Sequence, residues 1–331
     1  MVNKIYGTNK VFCKGRFISG PDVSHCCASV LMIVIPSILW HWKVGPFFAE
    51  RYSIAIPVLV GILMLAALVL LFMTAFSDPG IMPRQKDYAD VYDERTKTHR
   101  TKSPPRYYEI LMRNYPFKLK WCTTCNIYRP PRCTHCSVCE NCIERFDHHC
   151  PWIGNCIGKR NYWLFYSFVS FTGTMNTVVL GTSVAQLCIL TAEFTDADTG
   201  TGDALLEALR NEPTAAAIIV YCAAIVWFTV GLCMYHNYLV CTNQTTYEQI
   251  KGAYNSGNNP FDRGVVGNFR DVLCNRVRRR YFDPHTQKIL WPKAMAESAR
   301  DLKLVAAGGT GPVRANSGSG AGEGESNIST Q

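Results

Sequence analysis

Residues 122–156 read CTTCNIYRPPRCTHCSVCENCIERFDHHCPWIGNC and hold eight of the sixteen cysteines in the 331-residue chain. Each Cys-x2-Cys step places two sulfurs on one tight turn, at the separation that a tetrahedral zinc site needs. The turns are short and polar, so the stretch has too little apolar content for a core of its own, and metal binding would supply the missing folding free energy. The pattern therefore predicts a metal-binding module over residues 121–160.

Counting ligands leaves part of this module free for chemistry. Two closed zinc sites need eight ligands, and the stretch offers eight cysteines together with His135, His148 and His149. Three of these candidates must be left over, and the spacing alone does not say which three. An enzyme with a thiol nucleophile needs a spare cysteine beside a histidine, and Cys150, two residues after His148, meets that need.

Outside the module, four windows of the chain lack Asp, Glu, Lys and Arg altogether. They cover residues 24–42, 53–77, 161–192 and 213–247, and the last is apolar only to about Leu239. A helix needs about 20 apolar residues to cross roughly 30 Å of hydrocarbon. Buried core helices, or a signal peptide in the first window, are the alternatives. Four windows with aromatic edges instead favour an all-α polytopic membrane protein, with four transmembrane helices and a zinc module of short β-hairpins.

The charge distribution predicts how these helices are oriented. Residues 78–160 are rich in Lys and Arg, and further basic residues precede the first window and follow the last. The connection over residues 192–212 holds Arg210 against six acidic residues. Because basic connections stay in the cytoplasm, we expect both termini and the long middle loop on the cytoplasmic side.

The net charge of +9 fits either nucleic acid or the anionic face of a membrane. The basic residues lie beside apolar segments and no basic helix is present that could enter a groove. We therefore expect the lipid bilayer as partner and no nucleic acid.

The predicted organisation follows the chain in seven segments. They are a cytoplasmic N-terminal segment (1–23), two helices (24–77), a cytoplasmic loop (78–120), the zinc module (121–160), two helices with a luminal loop at 192–212 (161–240), a cytoplasmic C-terminal segment (241–307) and a tail (308–331). The tail is rich in Gly, Ser and Ala with no hydrophobic period, which predicts disorder.

The tetrad Asp147-His148-His149-Cys150 in its cysteine-rich frame resembles the DHHC protein S-acyltransferases, or palmitoyltransferases. The similarity includes Asp78-Pro79-Gly80 after the second window and Thr245-Thr246-Tyr247-Glu248, which resembles the TTxE motif of the family. Asn259-Pro260-Phe261, with Asn268-Phe269, resembles its C-terminal motif. The opening Asn9-Lys10-Val11-Phe12-Cys13-x-Gly15-Arg16 is most similar to the branch common in plants.

The resemblance implies a ligand set for each of two structural zinc ions. The first site would use Cys122, Cys125, His135 and Cys142. The second would use Cys136, Cys139, His149 and Cys156. Closed four-ligand sites do not activate water. Cys133, His148 and Cys150 are then left over, and Cys133 is expected to be a small filler residue.

The resemblance also implies a two-step acyl transfer on the leftover residues. Cys150 would attack acyl-CoA, here palmitoyl-CoA, and a cysteine thiolate of another protein would then take the acyl group. His148 would accept the thiol proton and Asp147 would orient its ring. The expected substrates are cytoplasmic or membrane-associated proteins with juxtamembrane cysteines. The expected location is an endomembrane (Golgi, ER or vesicle) or the plasma membrane.

Further residues suggest hypotheses about ligand contacts and helix packing. Arg129, Arg132, Lys159 and Arg160 could meet the coenzyme A phosphates, and attraction to anionic lipid is the alternative. A cavity for a sixteen-carbon chain would end near Met175, since about 13 helical residues cover about 20 Å. We expect His236 to form a hydrogen bond between helices. The alternative function is a zinc-bearing membrane scaffold without catalysis, in which all spare Cys and His would be inert.

Overall fold

A computed structural model describes residues 6–84, 91–93, 98–100, 105–112, 115–196, 198–255, 257 and 259–274. The predicted disordered tail and the basic cluster after the last helix lie outside the described residues. Part of the loop over residues 78–120 also lies outside them.

Among the described residues, the helices are α1 (Cys26–Lys43), α2 (Gly45–Arg51), α3 (Ala55–Ala75), α4 (Tyr162–Phe194), α5 (Thr201–Asn211), α6 (Pro213–Cys241), α7 (Thr246–Ile250) and α8 (Val265–Leu273). The strands are β1 (Lys10–Phe12), β2 (Phe17–Ser19), β3 (Val91–Asp93), β4 (Thr98–Arg100), β5 (Tyr107–Met112), β6 (Tyr115–Cys122), β7 (Ile127–Tyr128), β8 (Thr134–Cys136), β9 (Asn141–Ile143), β10 (His148–Cys150) and β11 (Asn155–Ile157).

Four helical segments are long and apolar enough to cross a membrane: Val23–Arg51, Ala55–Ala75, Tyr162–Phe194 and Pro213–Cys241. This confirms the prediction of four spans by length and composition. Their outer faces expose large apolar side chains, among them Leu31, Ile62, Leu65, Val220 and Trp227. Exposed apolar surface on this scale is unusual for a soluble monomer and is what a lipid-facing bundle requires.

The bundle is assembled around α4, which packs against both α3 and α6. Trp40 of α1 is fully buried and donates a hydrogen bond from Nε1 to Thr182 Oγ1 of α4 at 3.0 Å. Tyr221 of α6 reaches α1 through a 2.8 Å hydrogen bond to the Met32 carbonyl. The connection between α4 and α6 holds α5, a helix that the charged sequence there did not predict and that buries Ala204 and Ala208.

The cysteine-rich module consists of short antiparallel hairpins, as predicted. Strand β8 pairs with β9 so that His135 lies opposite Cys142, and β10 pairs with β11 so that His149 lies opposite Cys156. Asn161, just before α4, donates from Nδ2 to the Cys156 carbonyl at 2.9 Å and accepts from the Gly158 N–H at 2.9 Å. These bonds fix the second hairpin, and therefore Cys150, at the start of the third spanning helix.

Candidate active site and metal centres

The first cluster consists of Cys122, Cys125, His135 and Cys142. Each residue offers one ligand atom, and these four atoms all lie within 4.8 Å of one another. His135 Nδ1 lies 3.5, 3.6 and 3.8 Å from the three sulfurs. A tetrahedral zinc with bonds of about 2.3 Å to sulfur and about 2.1 Å to nitrogen separates such atoms by roughly 3.6 Å. The donors and their spacing therefore fit zinc.

The second cluster holds Cys136, Cys139, His149 and Cys156. His149 Nδ1 lies 3.8 Å from Cys136 Sγ and 3.5 Å from each of the other two sulfurs. This cluster has the same donor set and nearly the same spacing as the first, so it also fits zinc. Both clusters contain the residues that the resemblance implied, and both omit Cys133, His148 and Cys150.

Cys150 and His148 lie on strand β10, beside the second cluster but outside it. The strand alternation sends His149 to the metal ligands and its two neighbours to the opposite face. His148 Nδ1 lies 2.6 Å from Asp147 Oδ2, and the thiol of Cys150 interacts with the same ring. The structure thus brings the three predicted catalytic residues together in the order carboxylate, imidazole, thiol.

Asp147 is only 1% exposed and its carboxylate is held by donors from a distant segment. The Thr246 N–H donates to Oδ1 at 2.9 Å and the Thr246 hydroxyl donates to Oδ2 at 2.7 Å. Burial by itself would raise the pKa of Asp147, but the hydrogen bond and positive charge of His148 outweigh burial and lower it. Asp147 is therefore held as an anion.

His148 has the opposite shift. Burial acts to lower the pKa of His148, but the hydrogen bonds to Asp147 and to the Cys150 thiol outweigh burial and raise the pKa to about 10. An imidazole with this raised pKa can keep a proton taken from the thiol, which is what a base acting on Cys150 requires.

Thr246 is the first residue of helix α7, which a second buried pair holds in place. Thr245 caps α7 by a reciprocal hydrogen-bond exchange with Glu248. Arg132 donates from Nε and Nη2 to the two Glu248 oxygens at 2.7 and 2.6 Å, and its Nη groups also bond Asn243. The sequence indicated this motif, Thr245–Glu248, but assigned no contact to it. Its partners become visible only in the fold.

The four predicted coenzyme-binding residues have different surroundings. Glu248 and Asn243 bind both edges of the Arg132 guanidinium. Its Cζ lies 4.4 Å from the centroid of the Phe261 ring. Lys159 pairs with Glu144, and Arg160 Nε lies 3.5 Å from Asp78 Oδ2. The Arg129 Nε is buried without a hydrogen-bond partner among the described residues. The contacts of Arg132 tie it to Glu248 in helix α7 and to Asn243 just before that helix.

An apolar cavity of about 520 Å³ lies beside Cys150, between α1, α4 and α6. His148 and Cys150 line it from the module, and Met175, Asn176 and Val179 line it from α4. From Phe165 to Val179 the cavity follows about four turns of α4, roughly 21 Å at about 1.5 Å rise per residue. Met175 is part of this wall, and its Sδ lies 3.8 Å from the Ser37 hydroxyl of α1.

His236 of α6 is close to this site. Its Nδ1 lies 2.9 Å from the hydroxyl of Tyr162 on α4, which confirms the predicted hydrogen bond between helices. Its ring centroid is 5.0 Å from Phe165 and 6.2 Å from His148. The sequence did not indicate that His236 would lie near the reactive residues, because 86 residues of chain separate it from Cys150.

Comparison with known proteins adds an independent observation. The DHHC palmitoyltransferase family model matches residues 116–253. Probable protein S-acyltransferase 6 of Arabidopsis thaliana is 37% identical over 286 residues, covering 83% of this chain and 68% of the relative. Palmitoyltransferase ZDHHC18-B of Danio rerio is 36% identical over 86% of this chain and 76% of the relative. Palmitoyltransferase ZDHHC14 of Homo sapiens is 37% identical over 85% of this chain and 59% of the relative.

Plant and vertebrate relatives match at nearly the same identity, so this similarity does not by itself separate a plant branch. The chain spans between 59% and 76% of the length of these three relatives. The similarity extends beyond the matched domain into the helices on either side of it. The chain therefore belongs to the DHHC palmitoyltransferase family.

Proposed function

We propose that this chain is a protein S-acyltransferase, which moves a palmitoyl group from palmitoyl-CoA to cysteine thiols of other proteins. Its acyl-enzyme intermediate would form on Cys150. One observation carries the proposal: both metal clusters omit Cys150, which interacts with the His148–Asp147 pair and lines an apolar cavity. The printed names of the relatives describe the same activity in those proteins.

In the first step, Cys150 forms the acyl-enzyme. His148 takes the thiol proton, and the Cys150 thiolate attacks the thioester carbon of acyl-CoA. The bond from that carbon to the coenzyme sulfur breaks, and the leaving thiolate takes up the proton that His148 holds. Asp147 keeps the imidazole oriented and stabilises its cation, because its carboxylate is buried 2.6 Å from Nδ1.

In the second step, a substrate cysteine gives its proton to His148 and attacks the thioester on Cys150. Cys150 then leaves as a thiolate and takes the proton back from His148, which restores the starting state. Each step exchanges one thioester for another and is nearly isoenergetic, so the task of the site is to lower the barriers. The raised pKa of His148 supports this cycle, because the same ring must hold a proton after each attack.

The acyl chain would occupy the cavity between α1, α4 and α6. The cavity follows α4 for roughly 21 Å at about 1.5 Å per residue, which is comparable to an extended sixteen-carbon chain. Its wall is almost entirely apolar, and an alkyl chain enters such a wall with a gain of about 0.8 kcal/mol per buried CH₂. In this arrangement the thioester lies at Cys150 and the chain points into the bundle.

The coenzyme would remain on the module side, where basic residues are available. Of the four candidates, Arg129, Lys159 and Arg160 stay in the proposal as phosphate partners. Arg132 is assigned instead to the buried pair with Glu248, because its donors are already used. We also propose that the module and both termini face the cytoplasm, as the distribution of basic residues predicts.

Both metal clusters would hold structural zinc, through Cys122, Cys125, His135 and Cys142 in one and Cys136, Cys139, His149 and Cys156 in the other. Zinc, when bound, supplies folding free energy to hairpins that have little core of their own. With four protein ligands in each cluster, the ion has no open position for a substrate. The substrate proteins are expected to carry cysteines next to the membrane, since Cys150 lies at the start of α4.

The test is acylation of the purified chain by labelled palmitoyl-CoA. Wild type should take up label that hydroxylamine releases, as a thioester requires, and Cys150→Ser should take up none. Cys133→Ala is the matched control, because Cys133 is the other cysteine of the module outside both clusters. It should label like wild type.

Two outcomes would contradict the proposal. If folded wild type with two bound zinc ions takes no label, the zinc-bearing scaffold becomes the better function. If Cys150→Ser labels like wild type, the acyl group resides on another cysteine.

A further inference from the structure

The N-terminal segment is far from the second metal cluster in the sequence but lies against it in the fold. The Thr8 N–H donates to the Cys139 carbonyl at 3.1 Å. Asn9 Oδ1 accepts from Asn141 Nδ2 at 2.8 Å. Asn155, next to the metal ligand Cys156, donates to the Ile18 carbonyl at 3.3 Å. Residues 8–18 therefore contact the hairpins on both sides of the cluster.

The N-terminal segment and the turn after Cys150 approach each other so closely that only glycine fits at two positions. Gly154 has a φ of +70°, and a Cβ there would lie 2.4 Å from the Val23 Cα. A Cβ on Gly20 would lie 2.4 Å from the Gly154 carbonyl oxygen. These two glycines let the backbone of the N-terminal segment approach the backbone of the turn after Cys150. Asp22 lies at this point of close approach, since a Cβ on Gly154 would be 2.7 Å from its carbonyl oxygen.

Asp22 reaches the metal ligand itself. Its Oδ2 lies 3.2 Å from His149 Nε2, the ring nitrogen that faces away from the three sulfurs. His149 uses Nδ1 toward the sulfurs, so Nε2 carries the ring proton when Nδ1 binds a metal. A carboxylate that accepts this proton fixes the orientation of the ring and makes the ligand nitrogen more basic.

We propose that Asp22 is the carboxylate partner of the metal ligand His149, and that the N-terminal segment is through it a part of the second zinc site. The first cluster differs. Among the described residues, the carboxylate that pairs with His135 is Glu140, which comes from the hairpin turn itself and lies 3.7 Å from Nε2. At the second site the carboxylate comes from Asp22, which lies 127 residues before His149 in the chain.

This arrangement links the first membrane helix to the reactive cysteine. Asp22 immediately precedes the turn Val23–His25 that leads into α1. On the other side, His149 and Cys150 are neighbours on β10. Asp22 is thus a positioning residue: it contacts no substrate and acts through the ring of His149.

The test is cysteine protection in the full-length, zinc-loaded chain. The protein is exposed to a chelator and a maleimide, and mass spectrometry gives the labelling rate of each cysteine. In Asp22→Ala, we expect labelling of Cys136, Cys139 and Cys156 to accelerate about tenfold or more, the usual effect of losing such a partner. Labelling of Cys122, Cys125 and Cys142 should stay within about twofold of wild type.

Asp22→Asn keeps the size of the side chain and guards against a general folding defect in the alanine variant. It should accelerate the same three cysteines, by less. Asp203→Ala is the matched control, because it removes an exposed carboxylate on α5 and should change neither set. Wild-type rates in both Asp22 variants would overturn the proposal, and so would equal acceleration of both sets in Asp22→Asn. The readout needs no acyl donor, so it is separate from the test of acyl transfer.

Discussion

At the scale of single residues, the site depends on how a buried carboxylate is satisfied. Asp147 is fully enclosed, and a buried anion is costly unless donors or positive charge surround it. His148 supplies one partner and Thr246 supplies two. The orientation of His148 therefore depends on a threonine that lies 99 residues after Asp147 in the chain.

Thr246→Val should slow formation of the acyl-enzyme. The substitution keeps the shape and removes the hydroxyl that donates to Asp147 Oδ2 at 2.7 Å. A hydrogen bond to a charged group contributes about 1.5–3 kcal/mol, so we expect the rate to fall by about tenfold. The measurement is the initial rate of hydroxylamine-sensitive labelling by palmitoyl-CoA.

Thr242→Val is the matched control for this prediction. Among the described residues, its hydroxyl bonds only to carbonyls of the helix that it follows, Tyr238 at 3.0 Å and Leu239 at 3.4 Å. The control should label at the wild-type rate. An equal loss in both variants would mean that the effect is structural rather than directed at Asp147.

Arg132→Met should destabilise the module strongly. It would leave the Glu248 carboxylate buried without its counter-charge, and breaking such a pair costs about 3–5 kcal/mol. Burial would raise the pKa of Glu248, but the charge of Arg132 outweighs it and lowers that pKa. Because the folded-state pKa is depressed, the pair stabilises the fold at neutral pH and the contribution is lost as the pH falls through that value. The midpoint of thermal unfolding at pH 7 measures the loss.

Arg132→Met/Glu248→Gln should lose less stability than the single variant. The glutamine is uncharged and can still accept from the Thr245 N–H, which now bonds Glu248 Oε2 at 2.9 Å. The KM for palmitoyl-CoA in this double variant should equal that of wild type. A raised KM would return Arg132 to the coenzyme-binding residues.

At the scale of elements, the hairpins and the helices owe their stability to different interactions. The strands β8 to β11 are three residues long, and isolated hairpins of that size are not stable in water. The spanning helices satisfy their backbone internally and pack through apolar faces. The metal ligands are thus expected to control the hairpins and not the helices.

Removal of zinc with a chelator should therefore unfold the module and leave the bundle. We expect most of the far-ultraviolet helical signal to remain while the six cysteine ligands become reactive to maleimide and acylation of Cys150 stops. Restoring zinc should reverse these changes, since structural zinc contributes on the order of 10 kcal/mol or more to such folds. Loss of the helical signal together with the metal would contradict this division.

At the scale of the whole molecule, three helices that are distant in sequence form one cavity. Ser37 comes from α1, Met175 and Val179 from α4, and Cys222 from α6. The side chain at position 175 narrows this space, because Met175 is buried and meets Ser37 across it. The length of the acyl chain that fits is thus a property of the bundle and not of the reactive hairpin.

Met175→Ala should shift the preferred donor to acyl-CoA longer than palmitoyl-CoA, and Met175→Trp should shift it to shorter donors. The first change extends the open space and the second fills it. Competition between acyl-CoA donors of different length, read out on Cys150, measures the preference. Met234→Ala makes the same chemical change on the exposed face of α6 and should leave it unchanged. Unchanged preference in both Met175 variants would rule out this wall as the determinant.

The sequence by itself determined the features that depend on residues close together in the chain. Cys-x2-Cys steps indicated a metal-binding module, and the resemblance to the family implied which residues form each ligand set, because the spacing alone left the choice open. Uninterrupted apolar windows predicted the four spanning helices. Apolar patterning did not predict helix α5, because its sequence is charged and its packed face buries only two alanines, Ala204 and Ala208.

Only the tertiary structure decided the contacts between segments far apart in the chain. Thr246 on Asp147, Glu248 on Arg132, Asp22 on His149 and Met175 opposite Ser37 are all of this kind. Spacing and periodicity describe neighbours within one helix or hairpin. They contain no information about which surfaces meet when the helices pack. That choice depends on the combined fit of the bundle and the module, which exists only in the folded molecule.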